Sequence, residues 1–401
     1  MLARTRVSAY GSVSTAPAGF ESKGCPDVAG IRLRQAGVAV GGFPVGATNS
    51  IVDVRGVRVG HRTVSDGRAT FSGATAIVVD GASSATPVRA GMFVGNGYGK
   101  FVGATQIAEL GQVETPIVLT STLSAFRAAD AVVTWVLRRH GRAVTSVNPV
   151  VGEVNDSWLS TAEPRPVTAE HVLEAIDGAS TEAVPMGNVG GGTGACALGF
   201  KGGIGSSSRV VDLGGGAATG EAATGEVAIG ALAQINMGGS LRALGRTVLP
   251  ADHGLPAAGP RADGGSCVIV IAVDAPFDAN LLRRLASRAV YALARVGARF
   301  SHGSGDYALA VSTSEAGRPT VALTNHQTSA AFEAAMDAVE EAVLDALLAA
   351  TTVRSTGGRV AHALPVESIA GVSGPGLPGP GLPGPGFSGP GLPGSESPER
   401  P

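Results

Sequence analysis

Cysteine is scarce. Cys25, Cys196 and Cys267 are odd in number, widely separated and without paired Cys/His ligand spacing. That excludes a disulfide framework and a structural zinc site, and it points to a reducing compartment, the cytoplasm. Long apolar runs are also lacking, because glycine, serine or a charge interrupts each stretch before the roughly eighteen residues of a membrane span. The opening segment MLARTRVSAYGSVSTAPAGFESKG is basic but has no apolar h-region, so no export signal and no membrane partner are expected. Neither sign of charge dominates: 30 Lys and Arg stand against 32 Asp and Glu, a formal net charge of -2. No whole-chain field gathers phosphates, and nucleic acid is not an expected partner. The seven histidines are scattered singly and offer no metal spacing, and no G-x-S-x-G elbow supports a Ser/His/Asp triad.

What is present is ample apolar material, 44% of 401 residues, enough for a large core. Glycine is abundant at 60 residues. Part of it lies in a GPGLP-repeating tail whose spacing is not the strict every-third-residue glycine of collagen. The expected organisation is a disordered extension over 1–30, one catalytic domain over 31–370 and a disordered Gly/Pro-rich tail over 371–401.

Within the domain, IVDVRGVRV, TAIVVD and TPIVLTS read as strands, the last ending at Ser121. A helix is expected over Ala125 to Arg139, with Phe126, Ala129, Val132, Val133 and Leu137 as its apolar stripe, and a shorter one over Thr168 to Ile176. Cys267 to Val273 reads as a buried strand. Asp278 caps a helix carrying Leu282, Leu285, Ala289, Leu293 and Val296 on one face and closed by Gly297. Tyr307 to Ser312 is another strand, and a last long helix starts near Thr328 or Ser329 with Phe332, Met336, Val339, Val343 and Leu347 inward. Sheets covered by helices follow, an α/β (α+β) class.

Gly190 to Ala195 satisfies G-x-G-x-x-A, with Asp212 about twenty residues on, as in a dinucleotide fingerprint. The helix such a fingerprint needs is broken by Gly199, Gly202, Gly203 and Gly205, so close backbone packing is the preferred reading and no cofactor is expected.

The chemistry-bearing residues lie elsewhere. Gly264, Gly265 and Ser266 stand where the polar loop ADHGLPAAGPRADGG meets CVIVIAV. Two glycines give the backbone angular freedom and leave the Gly265 carbonyl open to the neighbouring hydroxyl; a plain turn into a strand is the alternative. Self-cleavage there would free the α-amine of Ser266, whose ordinary pKa near 8 suits a general base. Strand alternation puts Ser304 and Asp306 on one face, where a hydroxyl and a carboxylate can orient an amine, or cap an edge. Asn236 ends an apolar run and offers an amide N–H for an oxyanion, or serves a turn before Gly238. Glu153, Asn155 and Trp158 supply a carboxylate and an aromatic wall for a cationic amino terminus, or a solvated loop. His302, two residues before Ser304, is a further candidate neighbour.

Six segments in order, IRLRQAGVAVGGFPVGATNSIVDVRGVRVGH, FVGNGYGKFVGATQIAELGQVETPIVLTSTLS, PVVGEVNDSWL, GGGTGACALGFKGGIGSSSR, DGGSCVIVIAVDAPF and SHGSGDYALAVST, resemble the DmpA-type L-aminopeptidase/D-esterase family, which includes β-aminopeptidases. The resemblance spans about Ile31 to Pro365. It implies a four-layer αββα sandwich similar to that of N-terminal-nucleophile hydrolases but with different connectivity. It also implies autoproteolysis between Gly265 and Ser266, Ser266 as nucleophile, Ser304 and Asp306 in support, Asn236 in the oxyanion hole and Glu153 facing the substrate amine. Short peptides, amino-acid amides or esters are the implied substrates, with no metal or organic cofactor, and the implied assembly is a homo-oligomer, a tetramer of cleaved αβ units. Some members carry Tyr where Trp158 stands and others Glu where Asp306 stands. Related nylon-oligomer hydrolases use a threonine nucleophile, so Ser266 resembles the aminopeptidase branch. The competing functions are an amino-acid N-acyltransferase of related fold and a non-catalytic nucleotide-binding protein built on Gly190 to Ala195.

Overall fold

The computed structural model describes residues 30–141, 144–161, 163, 165–214, 225–259, 264–314 and 318–370. The expected extension up to residue 29 and the expected tail from residue 371 lie outside the described residues. In chain order come β1 (Val57–Ser65), β2 (Phe71–Val79), β3 (Val88–Gly97), α1 (Ala104–Leu110), β4 (Gln112–Val113), β5 (Ile117–Ser121) and α2 (Ala125–His140). Next are β6 (Val150–Val154), α3 (Ala169–Asp177), the short pair β7 (Cys196–Ala197) and β8 (Phe200–Lys201), β9 (Gly203–Asp212), β10 (Glu226–Asn236), and the hairpin β11 (Leu241–Ala243) and β12 (Arg246–Val248). Last are β13 (Gly264–Val273), α4 (Ala279–Arg295), β14 (Gly303–Ser312), α5 (Asn325–Leu348) and the hairpin β15 (Val353–Arg354) and β16 (Val360–Ala361).

Two sheets carry the fold, one ordered β1-β2-β5-β6 and one ordered β4-β3-β14-β13-β10-β9. Each holds one parallel pair, β5 with β6 and β13 with β14, joined through a helix, α2 and α4 respectively. Parallel neighbours need such a crossover. Because side chains alternate along a strand, every central strand feeds two cores. Val268, Val270 and Ala272 of β13 meet Ile77, Ile117 and Leu119 of the other sheet, while Cys267, Ile269, Ile271 and Val273 pack beneath α4 and α5. Ala74, Ala76, Val78 and Val118 back onto α2 and α3. The result is helices, sheet, sheet, helices: the αββα sandwich.

Three expectations shift. The run IVDVRGVRV is not one strand, since Ile51–Asp53 forms a single 3-10 turn and β1 begins only at Val57. The stripe of α2 that is buried is Ala125, Ala128, Ala129, Val132 and Val136, whereas Phe126 and Leu137 are 70% and 43% exposed. Small alanines let the helix sit close to its sheet, and the buried face lies about one residue around the helix from the one the large side chains suggested. Helix α5 begins one turn earlier than expected, because Thr324 and Gln327 form a reciprocal capping box.

Helix α5 also buries acids that its apolar pattern hides. Asp337, Glu341 and Asp345, at i, i+4 and i+8, turn inward. Glu341 is fully buried and accepts from Arg209 at 2.7 Å, Arg34 at 2.8 Å and Asn49 at 2.6 Å, while Asp345 pairs with Arg32 at 2.8 Å. These contacts fasten residues 30–53 and β9 onto α5. Glu341→Gln removes the charge that two guanidinium groups share, and unfolding free energy measured by urea titration should fall by about 3–5 kcal/mol. A midpoint equal to the parent's would show that the network is not holding these segments together.

Candidate active site

Strand register assembles the site. In β13, Ser266 lies opposite Asn236 of antiparallel β10 and opposite Gly305 of parallel β14. It shares the alternation of Val268, so its side chain faces the other sheet, where β6 ends. There the backbone N–H of Asn155 donates to Ser266 Oγ at 3.1 Å, and Asn236 Nδ2 lies 3.3 Å from the same oxygen. Asn236 Nδ2 also donates to Asn155 O at 2.8 Å, and its Oδ1 accepts from the N–H of Cys196 at 2.9 Å. The last contact fixes which end of the amide faces the serine, since only Oδ1 can accept.

Ser304 and Asp306 share a face, as alternation predicts, and Ser304 Oγ donates to Asp306 Oδ1 at 2.8 Å. Their face is the opposite one from Ser266, and Ser304 is level with Gly265. Burial pushes the Asp306 carboxyl up from 3.8 to about 6, against the lowering effect of the Ser304 bond. Its Oδ2 is buried without a hydrogen-bond partner.

Gly264 and Gly265 do not adopt left-handed angles; both are in the extended strand, paired with Gly303 and Ser304. Their expected angular freedom is thus not what the site uses. At 265 the requirement is space: a Cβ there would lie 3.0 Å from Ser304 Oγ and 3.1 Å from Gly238 N. The missing side chain lets Ser304 approach the peptide that precedes Ser266.

A cleft of about 340 Å³ opens over Ser266 and is lined by Gly265, Asn236, Glu153, Trp158, Lys100 and Arg359 among others. Glu153 is buried at 3% exposure, and its Oε1 accepts the backbone N–H of Lys100 at 2.9 Å and Lys100 Nζ at 3.3 Å. Lys100 also donates to Thr122 at 2.7 Å. His302 is not brought to the serine; it is exposed and its ring lies 5.8 Å from that of Tyr98. Sequence reasoning missed Lys100, Arg359 and the backbone role of Asn155. Lys100 sits in the quoted segment FVGNGYGKF, but only the fold shows which carboxylate it meets.

The sequence profile of peptidase family S58 matches residues 49–361. The chain belongs to peptidase family S58. It is 35% identical over 381 residues, 87% of its length and 93% of the relative's, to beta-peptidyl aminopeptidase BapA of Sphingosinicella microcystinivorans. It superposes on the Burkholderia sp. beta-aminopeptidase with a TM-score of 0.73 at 36% identity, covering 84% of this chain and 97% of that one. It superposes equally, with a TM-score of 0.73 at 32% identity and 84% and 96% coverage, on the L-aminopeptidase D-Ala-esterase/amidase of Ochrobactrum anthropi, described as a prototype for the serine aminopeptidases and a new variant among the Ntn hydrolase fold. This S58 chain is accordingly a hydrolase of the serine aminopeptidase class. Its αββα layers are those of the Ntn variant, and the family resemblance read from six segments holds.

The glycine-rich stretch serves this S58 site from behind. Residues Gly190–Gly192 make a single 3-10 turn, with no helix after it to receive pyrophosphate. A Cβ at Gly194 would meet Phe71 O at 2.1 Å, so the glycine permits close packing. Fully buried Lys201 gathers the loop, its Nζ donating to the carbonyls of Gly192, Ala195 and Gly202 at 3.2, 2.8 and 2.7 Å. Burial lowers its ammonium to about 8 and raises the carboxyl of Asp156, bonded to Ser72 Oγ at 2.6 Å, to about 7. Cys196, whose N–H holds Asn236, lies inside this loop. Among the described residues no cluster of metal-ligating side chains is present, and no helix is long and apolar enough to cross a membrane. Lys201→Met removes the ammonium from three buried carbonyls, of which Gly192 O and Ala195 O still accept the backbone N–H of Ala195 and Gly202, and should lower unfolding free energy by roughly 1–3 kcal/mol, read by urea titration. An unchanged midpoint would mean that the loop is held by its backbone contacts alone.

Proposed function

We propose that the chain cuts itself between Gly265 and Ser266 and then releases the N-terminal residue of short peptides, amides or esters through an acyl-enzyme on Ser266. The observation that carries this is the convergence on Ser266 Oγ of the Asn155 N–H and the Asn236 amide, with Ser304 beside the preceding peptide and hydrogen-bonded to Asp306. In self-cleavage, Ser266 Oγ attacks the Gly265 carbonyl, the C–N bond breaks and an ester forms. Water then hydrolyses the ester to a Gly265 carboxylate and a Ser266 α-amine.

In turnover the freed amine takes the Ser266 hydroxyl proton as Oγ attacks the substrate carbonyl. Asn236 steadies the oxyanion, the amine returns the proton to the leaving group, and water releases the acyl group. Preorganised amide donors suit the oxyanion because their direction is already set by Cys196 and Asn155. Glu153 receives the substrate ammonium, with Trp158 as wall, and a free amino end is therefore required. The relatives' names make peptides with an N-terminal β-amino acid the first substrates to try. The working unit in this reading is a tetramer of cleaved αβ units in the cytoplasm, the compartment that suits buried free thiols at Cys196 and Cys267.

Ser266→Ala should remain one chain on denaturing electrophoresis and mass spectrometry and should lack hydrolysis. A processed, active variant would sink the assignment of the nucleophile. Asp306 carries the pH dependence of processing, because the uncleaved chain has no free amine at Ser266. With its pKa raised to about 6, Asp306 is ionised above that pH and protonated below, so the rate of self-cleavage should fall as pH drops through about 6. Stability runs the other way at this group. Its contribution is full below the unfolded value of 3.8 and is lost as pH rises through about 6, so the rate loss is not unfolding at Asp306. Asp306→Asn should process slowly with that acid limb removed; a limb that persists in the variant would transfer it to another group.

A further inference from the structure

Arg359 stands at the β15–β16 hairpin on the wall of the cleft that holds Ser266. Its Nη1 donates to Trp158 O at 2.7 Å and Ser157 O at 3.4 Å, and its guanidinium carbon lies 5.9 Å from the centre of the Trp158 ring. The guanidinium is therefore tethered at one corner. Among the described residues no carboxylate lies within ion-pair distance of it. Guanidinium has five N–H donors in a flat fork suited to carboxylate, so the tether leaves donors unspent.

The charges in the cleft sharpen this. Lys100 already neutralises Glu153 at 3.3 Å, which leaves Arg359 as the unbalanced cation among the described residues that line the cleft. A substrate that brings only its ammonium adds like charge to that excess. One that also brings a carboxylate offsets it. The cleft holds about 340 Å³, near the lower end for small-ligand pockets, so the C-terminal acid of a dipeptide bound over Ser266 falls inside it rather than in bulk water.

Building on the aminopeptidase reading above, we propose that Arg359 binds the terminal carboxylate of the leaving residue, so that short peptides with a free C-terminal acid are selected over the corresponding amides and esters. The interaction is present in the bound ground state and in the transition state alike, so it acts on KM and leaves kcat largely aside. It is partly open to solvent and weakens as salt is added.

The test compares one dipeptide with its C-terminal amide, using the full chain, Arg359→Gln and Arg359→Lys, and reads the ratio of kcat/KM for acid over amide. The parent should favour the acid by about 10-fold. Arg359→Gln should bring the ratio to about 1 by raising KM for the acid, Arg359→Lys should keep part of it, and added salt should shrink it in the parent. If Arg359 only braces the Trp158 loop, acid and amide fall together and the ratio stays at the parent's value, which overturns the proposal. A parent that cleaves both without preference overturns it as well and leaves the aminopeptidase reading standing. A processed parent that cleaves neither, nor any other amino-terminal substrate, removes both.

Discussion

The pairing of β13 between β10 and β14 is the constraint on which the site depends. Ser266 opposite Asn236 on one side and opposite Gly305 on the other is a statement of register, and alternation then decides which face each side chain takes. A slip of one residue would carry Ser266 under the helices and turn Cys267 toward the second sheet. The slip is opposed along the whole strand, because Val268, Val270 and Ala272 belong to the core between the sheets and Ile269, Ile271 and Val273 to the core under α4 and α5. The hydrophobic alternation of CVIVIAV thereby fixes the aim of a polar residue at its start.

The strand also divides the polar work between its two faces. On the inter-sheet face stand the hydroxyl, the Asn236 amide and the Asn155 N–H, all open to the cleft. On the helix-side face Ser304 and Asp306 are buried and hydrogen-bonded to each other, and Ser304 comes close to the backbone through the space at Gly265. A carboxyl placed where burial disfavours its charge holds its proton to higher pH than a solvated one. It is thus able to exchange a proton near neutrality, which a solvated aspartate is not.

Much of this was legible before the fold. The strand with Ser266 at its start, the Ser304 and Asp306 pair and the terminal position of Asn236 all follow from period-2 patterns that act locally. The lateral contacts were not. Lys100 and Glu153 are separated by 53 residues and Asn236 and Cys196 by 40, and no local pattern encodes such meetings. The role of Asn155 is carried by its backbone N–H, which any residue but proline would supply, so its identity gave no signal. Glycine misled in a different way, since Gly265 is needed for closeness to Ser304 and not for its angles. In α2 Ala129 and Val132 are buried as expected, but the large Phe126 and Leu137 drew the stripe to one side of the true face, because close helix-to-sheet packing favoured alanine.

If Glu153 receives the substrate ammonium as proposed, the placement of Lys100 explains how a buried carboxylate waits for it. Glu153 at 3% exposure without a partner would be strongly disfavoured as an anion, and the Lys100 backbone N–H at 2.9 Å together with its ammonium at 3.3 Å offsets that cost. The ammonium is the looser of the two contacts. Its side chain is 40% exposed and already donates to Thr122 at 2.7 Å, so it can swing aside without losing all its partners. In the proposed reaction an incoming substrate ammonium exchanges one cation for another at Glu153, and the desolvation of the carboxylate is not incurred a second time. The backbone N–H stays in place throughout and keeps Glu153 aimed. Binding under this arrangement depends on the difference between two ammonium contacts, and the remaining selectivity falls to the neutral wall at Trp158 and to the charge beyond it.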